Sequence, residues 1–490
     1  MPNKYLAFDL GAESGRAMLG TIAKDKLQLE ELHRFPNVQI EQSGHIRWDA
    51  RYLFDELKKG LALAAKQGHA DLVSVGVDTW GVDFGLLDKR DMLVDNPVVY
   101  RDARTNGMVD RAFKALPVEE LYGLTGIQIM QINTIFQLFS LVEGKDPSLA
   151  KATTLLFMPD LFGFLLTGEK TAEYTIASTS QLMNARTKTW AFEVFDKLHL
   201  PRTIVNQVTM PGSRLGKLLP DVADEVGLSN VEVISSGGHD TACAVGAVPA
   251  SSDNWAYISS GTWSLVGVEV NEPILDELAR QNNFTNEGGI NGKIRFLRNA
   301  MGLWLLQRCQ REWAESGDDL DYAGLVRIAR DAPAFQCIVN PDDPAFLNPD
   351  SMVTAIADYC KRTGQPAPQT RGGFVRTILE SLALKYRYII GMIDDMRDRA
   401  VETIHVVGGG TKNRLLNQFT ADATGLTVIA GPVEATAMGN IISQAIAHRE
   451  IADFGEGRRL VLNSTSPETY TPRDYGKWTE VYQRVIPYFA

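Results

Sequence analysis

The sequence predicts an α/β protein made of two related lobes. Its 490 residues are enough for two domains of about 250 residues each. Near the start of each half, the residue pattern indicates a strand, a short polar turn and a second strand, first at residues 5–22 and again at residues 255–268. A repeated unit of this kind predicts that the two halves share one construction.

The first half has the pattern of three antiparallel strands, a helix and a returning strand. Residues 5–10, 17–22 and 27–35 have high β propensity and are separated by polar turns. Asp49 is a predicted helix cap, because Leu53, Leu57 and Leu61 follow it at four-residue intervals on one face. A strand at 72–77 then completes a mixed α/β unit.

The second half predicts strands at 255–259, 263–268, 404–407 and 426–430, with helices from Asn413 and at 434–448. A further helix at 374–396 is apolar enough to lie in the core. Residues 247–254 have the composition of a connector. We therefore predict a first lobe at 1–247, a second lobe at 255–450 and an extension at 451–490 that packs on the second lobe.

Composition limits the possible partners. A formal net charge of −11 argues against a nucleic-acid or anionic membrane surface, although it permits the binding of a single nucleotide. The amino terminus lacks a leader pattern and the apolar run at 161–166 is too short to span a membrane, so we expect a cytoplasmic protein with no obligate protein partner. The four cysteines do not have zinc-site spacing, and we expect them to be buried or inert thiols.

The polar turn after the apolar segment 231–234 carries the strongest candidate for catalysis. Gly237 and Gly238 allow a sharp turn and a close ligand, and they are followed by His239, Asp240 and Thr241. A carboxylate in such a turn suits removal of a proton from a hydroxyl before phosphoryl transfer, and His239 is an alternative base because imidazole titrates near neutral pH. A simple polar loop is the structural alternative.

Two further glycine-containing turns have the size of phosphate sites. The turn at 12–16 can direct consecutive backbone N–H groups at phosphate oxygens, with Arg16 adding charge, although an ordinary hairpin turn fits the same residues. The second hairpin, at 259–263, favours the phosphate interpretation because two such turns can hold one polyphosphate. The triple glycine at 408–410 leaves room for adenine or ribose, and neither GxGxxG nor a Walker A motif occurs in the sequence.

These segments, in this order, resemble the FGGY carbohydrate kinases. The resemblance rests on residues 9–16, 238–241, 259–263 and 408–410, and blocks at 78–84, 100–106, 286–289 and 301–307 are similar to the members that act on L-rhamnulose. It implies two ribonuclease-H-like lobes of the actin and hexokinase type with a catalytic cleft between them. It also implies ATP-dependent phosphorylation of the 1-hydroxyl of L-rhamnulose, in L-rhamnose catabolism.

The resemblance assigns roles to individual residues. Asp240 would be the catalytic base, and Asp9 would hold Mg²⁺ through water. The residues implied in sugar binding are Gly81, His239, Asp240, Thr241 and Asn299. The residues implied in ATP binding are Ala12, Glu13, Ser14, Gly15, Arg16, Thr262, Gln307, Gly408, Gly409 and Gly410.

The same residues also fit other interpretations. A tryptophan such as Trp80 is more often a core residue than a ligand-binding one. The charged residues Arg101, Asp102 and Arg104 fit a solvated loop of ion pairs. Gln307 fits an exposed position on a helix. The substrate is alternatively another ketose or polyol, such as L-fuculose, L-xylulose or glycerol. A non-enzymatic ATP or sugar sensor is the remaining class, and no helix-turn-helix segment supports it.

Overall fold

The computed structural model describes residues 2–317 and 320–489. Its strands are β1 (Asn3–Leu10), β2 (Ser14–Ala23), β3 (Lys26–Pro36), β4 (Gln39–Gln42), β5 (His45–Trp48), β6 (Ser74–Thr79), β7 (Phe84–Leu87), β8 (Thr154–Phe157), β9 (Ala172–Glu173), β10 (Met183–Asn184), β11 (Thr189–Trp190), β12 (Val208–Thr209), β13 (Ser213–Lys217), β14 (Glu232–Ser235), β15 (Trp255–Ser260), β16 (Trp263–Val270), β17 (Thr285–Gly288), β18 (Ile294–Met301), β19 (Thr403–Val407), β20 (Thr427–Ala430) and β21 (Glu468–Tyr470).

The helices are α1 (Ala50–Lys66), α2 (Met108–Ala115), α3 (Val118–Thr125), α4 (Thr134–Glu143), α5 (Pro147–Lys151), α6 (Met158–Thr167), α7 (Tyr174–Ser178), α8 (Phe192–Lys197), α9 (Pro220–Val226), α10 (Asp240–Gly246), α11 (Glu277–Gln281), α12 (Trp304–Glu315), α13 (Tyr322–Asp331), α14 (Met352–Arg362), α15 (Arg371–Asp395), α16 (Arg414–Thr424), α17 (Ala435–Ala447), α18 (Phe454–Ser464) and α19 (Tyr475–Phe489). Short 3₁₀ turns occur at Ala103–Thr105, Arg202–Ile204, Pro344–Phe346 and Gly409–Lys412.

The first sheet contains the predicted meander. β1 and β2 are antiparallel, β2 and β3 are antiparallel, and β6 returns parallel to β1. The complete order is β13-β14-β6-β1-β2-β3. The Asp49 side chain caps α1 by accepting a hydrogen bond from the Tyr52 backbone N–H, and Leu53, Leu57 and Leu61 are buried against this sheet as their spacing predicts.

A second sheet of seven strands repeats this construction. Its order is β17-β18-β16-β15-β19-β20-β21. β15 and β16 form an antiparallel hairpin and β19 lies parallel to β15, as β6 lies parallel to β1 beside the hairpin of β1 and β2. The prediction of two α/β lobes of the same construction is therefore confirmed.

The helices α2 to α8 form a segment that the sequence patterns did not identify. α2, α3, α4, α7 and α8 contribute to a separate apolar cluster that contains Phe136, Phe157 and Phe195, all fully buried, whereas α6 packs on the first sheet through Phe162 and Leu166. The small hairpin of β4 and β5 was not identified either. Both segments lie between β3 and β14 in the chain, so they are insertions into the first repeat.

The contacts between residues divide the chain into two compact units. The first unit contains residues 1–249, 269–296 and 435–464, and the second contains residues 250–268, 297–434 and 465–490. Each unit consists of three separate stretches of chain, whereas the predicted lobes are continuous stretches. The predicted lobe boundaries therefore stay a prediction. Within the residues described, no helix is both long enough and apolar enough to cross a membrane.

Two of the four cysteines differ from the expectation. Cys337 and Cys360 form a disulfide, whereas Cys243 and Cys309 are free and buried. The prediction of inert thiols is therefore wrong for the first pair. The 23-residue separation gives no sequence signal for the bond, since the packing of α14 brings Cys360 back to Cys337.

α10 and α17 approach each other closely in the first unit because of a glycine. A Cβ atom added at Gly439 of α17 would lie 1.9 Å from the carbonyl oxygen of Cys243 in α10. No larger residue fits there without separation of the two helices. Since α10 begins at Asp240, this contact also fixes the position of the candidate base.

We expect Gly439→Ala to lower the melting temperature measured by differential scanning calorimetry. Overpacking of this kind costs about 1–3 kcal/mol, and a clash with backbone is at the upper end. Gly123→Ala in α3 is the matched control, because Gly123 is exposed and has no atom within 4 Å of an added Cβ. There the better helix propensity of alanine predicts an unchanged or higher melting temperature. Equal melting temperatures for the two variants would contradict the packing argument.

Candidate active site

The parallel pairing of β1 and β6 places two carboxylates side by side. Asp9 and Asp78 are register partners near the carboxyl ends of these strands, and Asp9 is also the partner of Arg16 across β1 and β2. Arg16 Nη2 donates to Asp9 Oδ2 at 2.5 Å. Arg16 therefore forms an ion pair with Asp9, in addition to lying in the predicted phosphate turn.

The turn before α10 is anchored to the end of β6. The Thr79 backbone N–H donates to the Gly238 carbonyl at 2.9 Å, which aligns Thr79 with His239. On its other side, the Glu173 carboxylate accepts from the Gly238 N–H at 2.8 Å, and Thr175 Oγ1 accepts from the His239 N–H at 3.1 Å. These contacts place Asp240, as the first residue of α10, in the neighbourhood of Asp9 and Asp78.

The environment of Asp240 suits a proton acceptor at neutral pH. Burial, and then the negative charge of Asp9, raise the pKa of Asp240 to about 7. Thr241 opposes this shift by donating its backbone N–H and its Oγ1 hydroxyl to Asp240 Oδ1, at 2.5 Å and 3.1 Å. The predicted sugar residue Thr241 therefore contacts the candidate base directly.

Asp78 is a buried carboxylate that the sequence analysis did not select. Burial and the charge of Asp9 raise its pKa well above the usual range, while Asn440 of α17 donates to Asp78 Oδ2 at 2.6 Å. Asp78 Oδ1 is buried and has no hydrogen-bond partner among the residues described. The mutual repulsion of Asp9, Asp78 and Asp240 makes this part of the unit suitable for a cation.

A metal ion at the carboxylate cluster would have few ligands from the protein. Across residues 2–317 and 320–489, no group of three or more His, Cys, Asp and Glu side chains is arranged as a metal site. Mg²⁺ commonly keeps several waters and binds through one or two carboxylates together with substrate phosphates. The clustered carboxylates fit that mode of binding, with Asp9 as the predicted ligand.

His239 lies between the candidate base and Gly81. Its Nε2 atom is 3.5 Å from Asp240 Oδ1, and a Cβ atom added at Gly81 would lie 3.5 Å from the same nitrogen. Burial, and then the positive charge of Arg295, lower the pKa of His239 well below the usual value. His239 is therefore a neutral hydrogen-bonding group, and the structure brings together Gly81, His239, Asp240 and Thr241.

Trp80 belongs to the core. It is 5 % exposed and its ring centroid is 4.4 Å from that of Trp48. Asp83 Oδ2 accepts from both indole nitrogens, at 2.6 Å from Trp48 and 3.0 Å from Trp80, and burial raises the pKa of Asp83 to about 6. This network fixes the backbone that continues into Gly81.

The charged loop after β7 lies in a structural network. Asp102 accepts from the backbone N–H groups of Ile46 and Arg104, and Arg104 donates to Gln137, which itself donates to Asp83. Arg101 lies over the ring of Tyr100. The partners of Asp102 and Arg104 therefore connect the loop to Asp83 and not to the carboxylate cluster.

The remaining predicted nucleotide residues of the second half are neighbours within the second unit. The Thr262 carbonyl accepts from the N–H groups of Gly302 and Trp304, which connects the hairpin of β15 and β16 to the start of α12. Gln307 lies one turn further along α12, and its Oε1 atom is buried without a hydrogen-bond partner among the residues described. An exposed surface glutamine does not fit this environment.

The triple glycine packs against the same hairpin. A Cβ atom at Gly410 would lie 2.0 Å from Ser260 Oγ, and Gly408, with φ of 82°, lies against the Ser260 carbonyl. The segment Gly409–Lys412 forms a 3₁₀ turn before α16, where the sequence predicted a direct strand-to-helix turn. Asn299 lies in β18 within the second unit, whereas the other predicted sugar residues lie in the first.

Four residues around the candidate base have no predicted role: Asp78, Glu173, Arg295 and Asn440. The segment that contains Asp78 is part of the family resemblance, but the sequence pattern assigns no role to the carboxylate itself. Glu173, Arg295 and Asn440 lie 67, 55 and 200 positions away from Asp240 in the numbering, so no local pattern connects them with the base. A buried acidic residue at the end of a strand is the one signal that was available, at Asp78.

The raised pKa of Asp240 predicts a stability effect that is independent of activity. Its folded-state pKa is about 7 against an ordinary value of 3.8, so ionisation is unfavourable in the folded protein. We expect Asp240→Asn to raise the melting temperature, with a gain that grows as the pH rises from about 4 to about 7 and is constant above that range. Asp71→Asn, at a surface pair with Lys4, is the control. A gain that decreases with rising pH would contradict the shift.

Comparison with known proteins gives a consistent result along the chain. The N-terminal domain of the FGGY family of carbohydrate kinases matches residues 4–246, and the C-terminal domain of that family matches residues 256–448. A rhamnulokinase of Bacteroides thetaiotaomicron is 45% identical over 482 residues, which cover 98% of each chain. A rhamnulokinase of Oceanobacillus iheyensis is 42% identical over 95% of this chain and 97% of its own.

Solved structures agree in fold. Gluconate kinase from Lactobacillus acidophilus has a TM-score of 0.81 at 16% identity, covering 100% of this chain and 97% of its own. Glycerol kinase from Plasmodium falciparum, solved with ADP, has a TM-score of 0.78 at 14% identity, covering 99% of this chain and 98% of its own. Since both family domains match and together span most of its length, the chain belongs to the FGGY family of carbohydrate kinases.

Proposed function

We propose that this protein is a cytoplasmic kinase that transfers the γ-phosphoryl group of ATP to the 1-hydroxyl of L-rhamnulose, in L-rhamnose catabolism. The observation that carries the reaction type is the partly buried Asp240 carboxylate at the start of α10, whose pKa is raised to about 7 by desolvation and by the charge of Asp9. The substrate follows from relatives named rhamnulokinase, which are similar to this chain over nearly its whole length. The products are L-rhamnulose 1-phosphate and ADP.

The proposed chemistry begins with the sugar hydroxyl. Asp240 accepts the proton of the 1-hydroxyl as the oxygen attacks the γ-phosphorus, and the bond from that phosphorus to the β,γ-bridging oxygen breaks. ADP leaves with the electron pair of that bond. A base with a pKa near the working pH is partly ionised beforehand and still holds the proton after transfer, which is the compromise that general-base catalysis requires.

The other residues of this site bind and orient the sugar. Gly81 lets the sugar approach the backbone, because a side chain there would fill the space beside His239 Nε2. His239 and Thr241 contribute polar groups beside the base, and Asn299 contributes an amide that both donates and accepts. Thr241 also restrains the Asp240 carboxylate through its two hydrogen bonds.

We assign the nucleotide to the remaining predicted residues. The N–H groups of residues 12–16 and the hairpin at Thr262 bind phosphate oxygens, and the glycines at 408–410 lie against the adenosine. The buried Oε1 of Gln307, which has no partner among the residues described, fits a donor group of the nucleotide. Arg16 balances the charge of Asp9 next to the phosphate turn.

Asp9 would hold Mg²⁺, through water, beside the clustered carboxylates. Bound there, the ion would offset the negative charge of the polyphosphate. Asp9 keeps its own negative charge because Arg16 pairs with it, and its charge in turn keeps the pKa of Asp240 high.

Another ketose or polyol kinase is the second candidate. Solved gluconate, xylulose and glycerol kinases share the fold at 19% identity or less, so the fold alone does not select the sugar. The rhamnulokinase relatives favour L-rhamnulose because their similarity extends along the whole chain.

The first test is ADP release with ATP and Mg²⁺ across L-rhamnulose, L-fuculose, L-xylulose, D-xylulose and glycerol. We expect selective turnover of L-rhamnulose, and we expect Asp240→Asn to lower kcat by about 10²- to 10⁴-fold, the usual contribution of a general base. Asp71→Asn is again the control variant. Preference for another of these compounds would contradict L-rhamnulose as the substrate. Near-normal turnover by a correctly folded Asp240→Asn variant would contradict Asp240 as the catalytic base. Absence of ADP release with all five compounds, together with retained ATP binding, would favour the interpretation as a non-enzymatic sensor.

The second test addresses the metal and the charge of Asp9 together. We expect Asp9→Asn to raise the Mg²⁺ concentration needed for half-maximal activity, because a ligand is lost. We also expect the acidic limb of the kcat/KM profile to move to lower pH, because loss of the Asp9 charge lowers the pKa of Asp240. An unchanged Mg²⁺ dependence would exclude Asp9 as a ligand, and an unchanged limb would exclude the electrostatic coupling.

A further inference from the structure

Arg295 is a buried cation that contacts His239 directly. It lies in β18, its side chain is 0 % exposed, and its Nη2 atom is 2.9 Å from His239 Nδ1. The same Nη2 atom is 3.0 Å from Glu287 Oε2, and Nε donates to the Gly288 carbonyl at 2.9 Å. Two partners besides the imidazole therefore hold the guanidinium in place.

The chemistry of the guanidinium determines the direction of the contact with His239. Arginine remains protonated and has five N–H donors and no acceptor. Arg295 therefore donates to Nδ1, and that nitrogen must present its lone pair. Because burial and the charge of Arg295 also keep His239 neutral, its single ring proton is on Nε2.

The protonated nitrogen is on the side of the ring where the sugar is expected. Nε2 is the atom that lies 3.5 Å from Asp240 Oδ1 and beside Gly81. An N–H group there can donate to an oxygen of a ligand or to the Asp240 carboxylate. It cannot accept the proton of the reacting hydroxyl.

We propose that Arg295 is a positioning residue that fixes His239 as the Nε2–H tautomer, so that His239 donates to the sugar and proton removal is left to Asp240. The part that concerns the sugar rests on the proposed function, whereas the tautomer is a property of the free protein. Arg295 acts through His239 and not on the reacting atoms.

Glu287 makes the consequence of losing Arg295 specific. Its Oε2 atom is 3.5 Å from His239 Nδ1, next to the position that Nη2 occupies. Without the guanidinium, the carboxylate is the charged group that faces Nδ1, and it favours a proton there. Asp240 Oδ1 faces Nε2 at the same distance of 3.5 Å, so without the guanidinium Nδ1 gains a proton and the ring is no longer held in the single Nε2–H tautomer.

The decisive measurement is ¹⁵N NMR of the histidine rings in the whole protein without ligand. The protein has seven histidines, and the spectrum of His239→Gln assigns the signal. We expect unprotonated Nδ1 and protonated Nε2 in the wild type, and protonation of Nδ1 in Arg295→Met. We expect the wild-type pattern in Arg295→Met/Glu287→Gln and in Arg295→Lys, since lysine restores a donor. Protonated Nδ1 in the wild type would overturn the proposal, and this result needs no variant to fold.

Kinetics then separate positioning from a merely structural role. We expect Arg295→Met to raise the KM for the sugar about tenfold, the effect of one lost hydrogen bond, with the KM for ATP unchanged and with rescue by Arg295→Lys. An equal loss for both substrates without rescue would overturn the positioning role. Absence of sugar turnover in the wild type would contradict the proposed function, and the tautomer would still decide the inference about Arg295.

Discussion

The repulsion between three clustered carboxylates is the constraint that the surroundings of the candidate base must oppose. Asp9 and Asp78 are neighbours because β1 and β6 pair in parallel, and the turn before α10 adds Asp240. Burial and the Asp9 charge raise the pKa of both other carboxyl groups, so their ionisation costs more free energy in the folded protein than in water. Such a cluster persists only where the surrounding structure opposes the repulsion.

Several elements supply that opposition. Arg16 from β2 pairs with Asp9, Asn440 from α17 donates to Asp78, and the start of α10 donates two hydrogen bonds to Asp240. α17 reaches Asp78 because Gly439 lets it lie against α10. The same glycine therefore permits the helix packing and places the amide that stabilises the central carboxylate.

The parts that the sequence predicted correctly have local causes. The meander of β1 to β3, the cap at Asp49 and the repeat of the hairpin at 255–268 follow from alternation, spacing and turn residues within short windows. The positions of Asp9, His239 and Asp240 could be predicted because glycine turns mark the ends of strands. Their predicted roles stay predictions, and the structure describes only their surroundings.

The missed parts depend on pairing between distant segments. Glu173 holds the Gly238 turn from an inserted segment, and Arg295 reaches His239 from another sheet, so neither has a signal in its own neighbourhood. The disulfide of Cys337 and Cys360 was missed for the same reason. Charge and hydrogen-bonding partners are set by tertiary contacts, which a pattern read along one sequence does not contain.

Tertiary contacts determine whether His239 or Asp240 is the stronger base. On ordinary pKa values the imidazole is the better acceptor near neutral pH. Burial disfavours the charged form of each group, and therefore raises the pKa of the carboxyl while lowering that of the imidazole. The Asp9 charge raises the pKa of Asp240 further, and the Arg295 charge lowers the pKa of His239 further. The order of basicity is thus reversed, which supports the proposal that Asp240 accepts the proton and that the neutral His239 donates a hydrogen bond.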